Sequence, residues 1–241
     1  MNPFSLAGQV ALVTGANTGI GQAIAVAMAQ AGAEVIAAGR RDCDETLALI
    51  GGGRQMRLDF GDPMAARDVF ARERIDILVN NAGIIRRADA VDFTEADWDA
   101  VIDVNLKALF FTCQAFARAA LPRGRGKIIN IASLLSFQGG IRVPSYTASK
   151  HGVAGLTRLM ANEWASRGLN VNAIAPGYIE TNNTQALRDD PERSAAILDR
   201  IPAGRWGRPE DIGQSAVFLA APASDYINGA VLNVDGGWLA R

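Results

Sequence analysis

The 241 residues are 49% hydrophobic and 20% charged with a formal net charge of −1, so the chain can bury a large core and lacks the charge surplus that nucleic acid or an anionic membrane would attract. Its two cysteines, Cys43 and Cys113, are far apart with no CxxC spacing; a disulfide framework and a zinc site are both set aside, and idle thiols are expected. The N-terminal MNPFSLAGQVALVTG lacks a basic leader with a long apolar core, and no apolar run approaches the roughly 20 residues that span a bilayer, which predicts a cytoplasmic, reduced setting.

Short apolar runs alternate with longer segments of helical period. Val10 to Thr14 reads as a strand, Ile20 to Ala31 as the helix after it, and Glu34 to Ala38 as a second strand. Ile75 to Asn80 is the next strand, followed by helical period from Trp98 to Ala120. Lys127 to Ala132 leads to a helix from Tyr146 to Ser166, Asn170 to Ala175 to a helix from Asp211 to Ala220, and Ala230 to Val234 is the last strand. Strands apolar on successive positions, such as VALV, suit a parallel sheet covered on both faces. The alternating order predicts an α/β fold: a single-domain, Rossmann-type, doubly wound parallel sheet over residues 1–241 with helices on both faces. Thr181 to Arg208 is the most polar segment, its helical period broken by Pro191 and Pro202. It is expected to leave the compact core, where a substrate lid sits in a sheet-based enzyme.

TGANTGIG, Thr14 to Gly21, follows the first strand and opens the first helix. Gly15, Gly19 and Gly21 allow a sharp turn and a close approach to a pyrophosphate, Asn17, Thr18 and Ile20 complete the turn, and the helix start aims free N–H groups at the anion. The second strand ends AAGRRD. Gly39 stands where an acid would hold a ribose 2′-hydroxyl, and Arg40 and Arg41 offer charge-assisted donors to a 2′-phosphate. This favours NADP(H), with NAD(H) left open because Asp42 can reach a hydroxyl.

Ser133 closes a strand, Tyr146 follows it by thirteen residues and Lys150 by four more. A helix through the last two places them on one face. A free phenol has a pKa of about 10, so proton exchange near neutrality requires its anion to be stabilised, a task that suits Lys150. Ser133 is suited to bonding a substrate oxygen between them.

Taken in order, TGANTGIG, NNAG at Asn80 to Gly83, Asn105 in DVNLK, Ser133, YTASK and PGYIET at Pro176 to Thr181 resemble the short-chain dehydrogenase/reductase family over almost the whole chain. The resemblance implies Tyr146 as the acid/base that protonates a carbonyl oxygen, Lys150 lowering its pKa and holding the nicotinamide ribose, Ser133 orienting the carbonyl and Asn105 supporting a water-linked proton path. It implies Asp59 and Phe60 of LDF at the adenine, Asn81, Ala82, Gly83 and Ile131 along the coenzyme, and Pro176, Gly177, Ile179 and Thr181 at the carboxamide end. No metal is implied. The stretches NNAGIIRRADA, SLLSFQGGIRVPSYTASK and ASDYINGAVLNVDGGWLAR resemble family members that interconvert a keto-deoxy sugar acid and its hydroxy form in hexuronate catabolism, which implies a homotetramer with the C-terminal strand and tail near a subunit interface.

A sugar acid brings a carboxylate, and a neutral chain must meet it with local positive charge. Arg142, between Ser133 and Tyr146, is the first candidate; Arg86 and Arg87 follow NNAG on the same sheet edge, and arginine's planar fork suits a carboxylate. Gln138 and Asn183 are candidate hydroxyl partners, and Trp206 and Trp238 candidate caps of the pocket. His151, the single histidine, points about 100° away from Lys150 on a helix and is expected to be structural. Two alternatives remain. A 3-oxoacyl-thioester or general carbonyl reductase shares every catalytic motif but has no use for Arg142 or a polar lid. A non-catalytic nucleotide-sensing protein would not need Ser133, Tyr146 and Lys150 together.

Overall fold

The strands in chain order are β1 (Val10–Thr14), β2 (Glu34–Gly39), β3 (Arg54–Arg57), β4 (Ile77–Asn80), β5 (Gly126–Ile131), β6 (Leu169–Pro176) and β7 (Val231–Val234). In the computed structural model, which describes residues 2–241, they pair in the order β3-β2-β1-β4-β5-β6-β7, parallel throughout. The helices are α1 (Gly19–Gln30), α2 (Asp44–Ile50), α3 (Val69–Arg72), α4 (Glu95–Ile102), α5 (Leu109–Ala120), α6 (Pro144–Trp164), α7 (Gln185–Arg188), α8 (Pro191–Arg200) and α9 (Pro209–Ala220).

Successive strand side chains leave opposite faces of the sheet, and the core divides accordingly. Ala11 and Val13 of β1, Ile77 and Val79 of β4 and Ile129 of β5 meet Ile24 and Met28 of α1 and Ile212 and Ala216 of α9. Leu12, Leu78 and Ile128 face the other way, onto Cys113 and Phe116 of α5 and Val153 and Met160 of α6. Fully burying each such aliphatic side chain contributes roughly 1.5–3 kcal/mol, so two-sided burial is what makes strands with no polar face stable. Both cysteines are buried free thiols, and burial pushes the Cys113 thiol up to about 12.

Three elements lie outside the apolar pattern. β3 is an edge strand of sequence RQMR, and α2 and α3 are seven and four residues long. The helical stretch read from Trp98 begins instead at Glu95, where Thr94 caps it by accepting the Asp97 N–H at 3.2 Å, and it runs through a π-helical turn at Asp103–Ala108. The run Glu95–Arg123 is long and apolar enough to cross a membrane by length and composition, contrary to the expectation from the sequence, yet 50% of its most apolar window is buried and its apolar face packs on the sheet. It is a core helix.

Candidate active site

All strands point their carboxyl ends to one edge, and the strand order reverses between β1 and β4, where open α/β sheets leave a crevice. The glycine turn lies there. Gly15 and Gly19 adopt φ of +64° and +59°, a region costly for any residue with a Cβ, and Gly21 lies so close to the turn that a Cβ would stand 2.2 Å from the Gly15 carbonyl oxygen. Thr14 fastens the turn to the end of β4: its hydroxyl accepts the N–H groups of Asn81 and Ala82, both at 2.9 Å. The Asn81 amide returns the tie by donating to the carbonyls of Thr14 and Gly15 at 2.9 and 3.1 Å.

These contacts hold open a cleft of about 290 Å³. Gly15, Asn17, Thr18, Gly19, Ile20 and Gly21 line one side, Asn81, Ala82, Gly83 and Thr181 another, and Arg41 closes one end. A second cleft of about 150 Å³ shares Ile20, Asn81, Gly83 and Thr181 with the first and continues past Ile131, Pro176, Gly177 and Ile179 to Ser133, Tyr146 and Lys150. The groove therefore runs from the start of α1, whose first turn carries no acidic residue, to the phenol of Tyr146. Its shape and donors fit a dinucleotide. A side chain at Gly39 would find nothing nearer than 3.8 Å, which leaves space beside Arg41.

Tyr146 and Lys150 project from the first two turns of α6, which Pro144 starts in the favourable first position. A buried chain of hydrogen bonds fixes that helix to the sheet: Asn80 Nδ2 donates to Asn130 Oδ1 at 2.9 Å, and Asn130 Nδ2 to Thr157 Oγ1 at 3.0 Å. Ser136 Oγ donates to the Lys150 carbonyl at 2.7 Å, tying the turn after Ser133 to the same helix. Lys150 is 5% exposed; its Nζ donates to the Ile131 carbonyl at 2.6 Å and lies 5.5 Å from the centre of the Tyr146 ring. Burial pushes Lys150 down to about 8. Burial also pushes the Tyr146 phenol up, with the Ser133 hydroxyl and then the Arg87 guanidinium pulling it back. The sequence argument expected a lowered phenol through Lys150; the desolvation that places the two together works against both charges.

Asn105 occupies the π-helical turn, 1% exposed, and its side chain is fully engaged. Its Oδ1 accepts the Ile84 N–H at 2.8 Å and its Nδ2 donates to the Ile84 carbonyl at 2.9 Å, so it orients the chain that follows NNAG. A single π turn inside an α-helix re-aims one side chain in this way.

Beyond Tyr146 the groove opens into a cavity of about 330 Å³, within the range of small-molecule sites. Ser133, Gln138, Tyr146 and Asn183 line it, as the sequence suggested, together with Trp238. Arg142 and Arg86 do not. Arg142 sits at φ +63° and turns outward to Asp89 at 3.1 Å, and Arg86 pairs with Asp97 at 3.2 Å. The cations on the cavity wall are Arg87, Arg193 and Arg200. Sequence reasoning offered Arg87 together with Arg86 as a candidate for the carboxylate and did not single out Arg193, Arg200 or Tyr178. Of three further coenzyme candidates, Arg40 does not line either cleft, Asp59 is exposed with its Oδ1 accepting the Gly61 N–H at 2.9 Å, and Phe60 is 8% exposed in the core. Trp206 is buried against Tyr178 with ring centres 5.6 Å apart, and so supports the cavity from behind.

The family described as Enoyl-(Acyl carrier protein) reductase matches residues 15–239. The 2-dehydro-3-deoxy-D-gluconate 5-dehydrogenase of Bacillus subtilis is 58% identical over 99% of this chain and 97% of its own length, and that of Escherichia coli 56% identical over 100% and 99%. A provisionally assigned 2-deoxy-D-gluconate 3-dehydrogenase from Agrobacterium tumefaciens, solved with bound NADP, is 70% identical and superposes with a TM-score of 0.98 over 100% of both chains. With its parallel sheet, glycine turn and joined coenzyme and substrate clefts, this chain belongs to the short-chain dehydrogenase/reductase family.

Proposed function

We propose that the chain is a 2-dehydro-3-deoxy-D-gluconate 5-dehydrogenase working with NADP(H), in the catabolism of hexuronates and related sugar acids. The observation that carries this reading is the unbroken groove from the start of α1 to Tyr146, opening into a cavity walled by cations, in a chain matched end to end by relatives of that name. The glycine turn and the N–H groups that open α1 would hold the pyrophosphate, Arg41 the 2′-phosphate, and Ile131, Pro176, Gly177, Ile179 and Thr181 the nicotinamide end. Once bound there, the coenzyme supplies the hydride chemistry.

The chain's own residues manage the proton. Ser133 donates to the carbonyl oxygen and fixes its distance from the phenol; Tyr146 gives its proton to that oxygen during reduction and takes it back during oxidation. Lys150, held on the Ile131 carbonyl, offers its remaining N–H groups to the ribose and its charge to the tyrosinate. Arg87 adds a second positive charge facing Tyr146 from the opposite wall, and Asn105 keeps that wall in place through Ile84. The segment 181–208, folded as α7 and α8, acts as the substrate lid of a single-domain enzyme. The family resemblance supports a cytoplasmic homotetramer.

The test is oxidation of 2-dehydro-3-deoxy-D-gluconate followed at 340 nm with NADP⁺ and NAD⁺, beside reduction of an acetoacetyl thioester. Turnover of the sugar acid with NADP⁺ is expected; turnover of the thioester alone would replace this reading by a 3-oxoacyl-thioester reductase. Tyr146→Phe should retain NADPH binding and lose about 10²–10⁴ in kcat. A variant with near-normal turnover would remove Tyr146 from the proton transfer.

A further inference from the structure

The arginines near the cavity fall into two groups. Arg86 and Arg142, outside it, already hold Asp97 and Asp89. Arg193 and Arg200 line it and, among the described residues, hold no carboxylate. Both come from α8, seven residues apart, and at 100° per residue they leave the helix within about 20° of the same direction. Between them on that face lies Ile197, the buried residue of α8, set into a cluster with Leu134, Ile201, Trp206 and Trp238. The side chain that anchors the helix thus brings its two flanking cations, both solvent-exposed, to the edge of the cavity. Exposed cations at the edge of a substrate cavity, with no protein carboxylate of their own, are available to an anion that enters it.

One of the two is also braced. The Arg200 guanidinium stacks 3.9 Å from the centre of the Trp238 ring, and Trp238 Nε1 donates to Gln138 Oε1 at 3.3 Å. Trp238 is itself fixed by Asp235, whose two carboxylate oxygens accept the N–H groups of Gly237 and Leu239, each at 2.9 Å. Stacking leaves the edge of the guanidinium, with its in-plane N–H groups, free to meet a planar anion.

We propose that Arg193 and Arg200 form a carboxylate fork on α8, braced by Trp238, which holds the acid end of the substrate and thereby selects the carbon that faces Tyr146. This rests on the sugar-acid reading above. In 2-dehydro-3-deoxy-D-gluconate the carboxylate is carbon 1 and the reacting alcohol is on carbon 5, four bonds along the chain. Arg193, Arg200 and Tyr146 line the same cavity, so an acid end held on α8 would leave the far end of the chain for the phenol.

The experiment measures binding and turnover separately. NADPH-loaded wild type, R193Q, R200Q, the double variant and R142N are titrated by calorimetry with 2-dehydro-3-deoxy-D-gluconate and with its neutral methyl ester. KM and kcat for the acid are measured with NADP⁺. Asn tolerates the left-handed backbone at 142, so R142N removes only the outward guanidinium. Wild type should prefer the acid to the ester, each single variant should raise Kd and KM for the acid about 10-fold and the double variant about 100-fold, with ester and NADPH affinities unchanged and R142N like wild type. Lysine at 193 and 200 should restore part of the loss, as charge without the fork. An acid preference that survives in the double variant, or is absent from wild type, overturns the fork. If the preference exists and is lost as expected while wild type fails to oxidise the acid, the fork stands and the assigned reaction falls.

Discussion

Lys150 carries a positive charge that the fold disfavours, and its replacement by methionine should raise stability while removing activity. Burial lowers its pKa from 10.5 to about 8, a change that corresponds to roughly 3 kcal/mol against the charged form. The bond from Nζ to the Ile131 carbonyl, a charged donor at 2.6 Å, returns about 1.5–3 kcal/mol of this, so Lys150→Met should gain a net on the order of 1 kcal/mol at pH 7, or a few degrees in Tm for a chain of this size. The pH dependence identifies the cause. Below about pH 8 both folded and unfolded wild type hold the proton and the cost is constant. Between about 8 and 10.5 the unfolded chain binds a proton that the folded chain does not, so wild-type stability contains a term that rises with pH. Methionine removes that rise. The assay is thermal and urea unfolding of both proteins without coenzyme at pH 7, 8, 9 and 10. A variant that melts below wild type, with the two pH profiles parallel throughout, would refute the reasoning.

Arg41→Ala should weaken NADP(H) binding about 10- to 100-fold and leave NAD(H) nearly unchanged, measured by coenzyme fluorescence titration, because only the 2′-phosphate uses the guanidinium. Gly21→Ala places a methyl 2.2 Å from the Gly15 oxygen and 2.4 Å from Asn81 Nδ2, and should lower both Tm and NADPH affinity as the Asn81 tie is forced off; a Tm within one degree of wild type would count against the packing argument.

The strands that can be read from sequence are those buried on both faces, such as VALV and ILVN, since continuous apolarity over so few residues has few other uses. β3 escapes because an edge strand of RQMR needs only half its surface covered. The coenzyme turn and the Ser133, Tyr146 and Lys150 set are legible because their spacing along the chain reflects local geometry: a strand end, a turn and one helix face. The arginines are not. Arg142 looks decisive by position, yet its direction is set by Asp89, a tertiary neighbour, and by a left-handed backbone that no spacing encodes. Arg193 and Arg200 sit in a stretch whose polarity reads as solvent-facing, and both are exposed; what the sequence does not encode is that the anchoring of Ile197 between them sets them at the edge of the cavity. The phenol of Tyr146 is a similar case: the sequence supplies the cation beside it, whereas the desolvation that opposes its ionisation is a property of the assembled cleft.

The Asp235 turn that holds Trp238 bears on how the enzyme is made. Every residue lining the coenzyme groove precedes α7, whereas the tryptophan that completes the substrate wall follows the last strand. During translation the residues of the groove emerge well before those of the wall. A truncation that removes Trp238 will therefore act on the substrate wall and leave the coenzyme groove's own residues untouched.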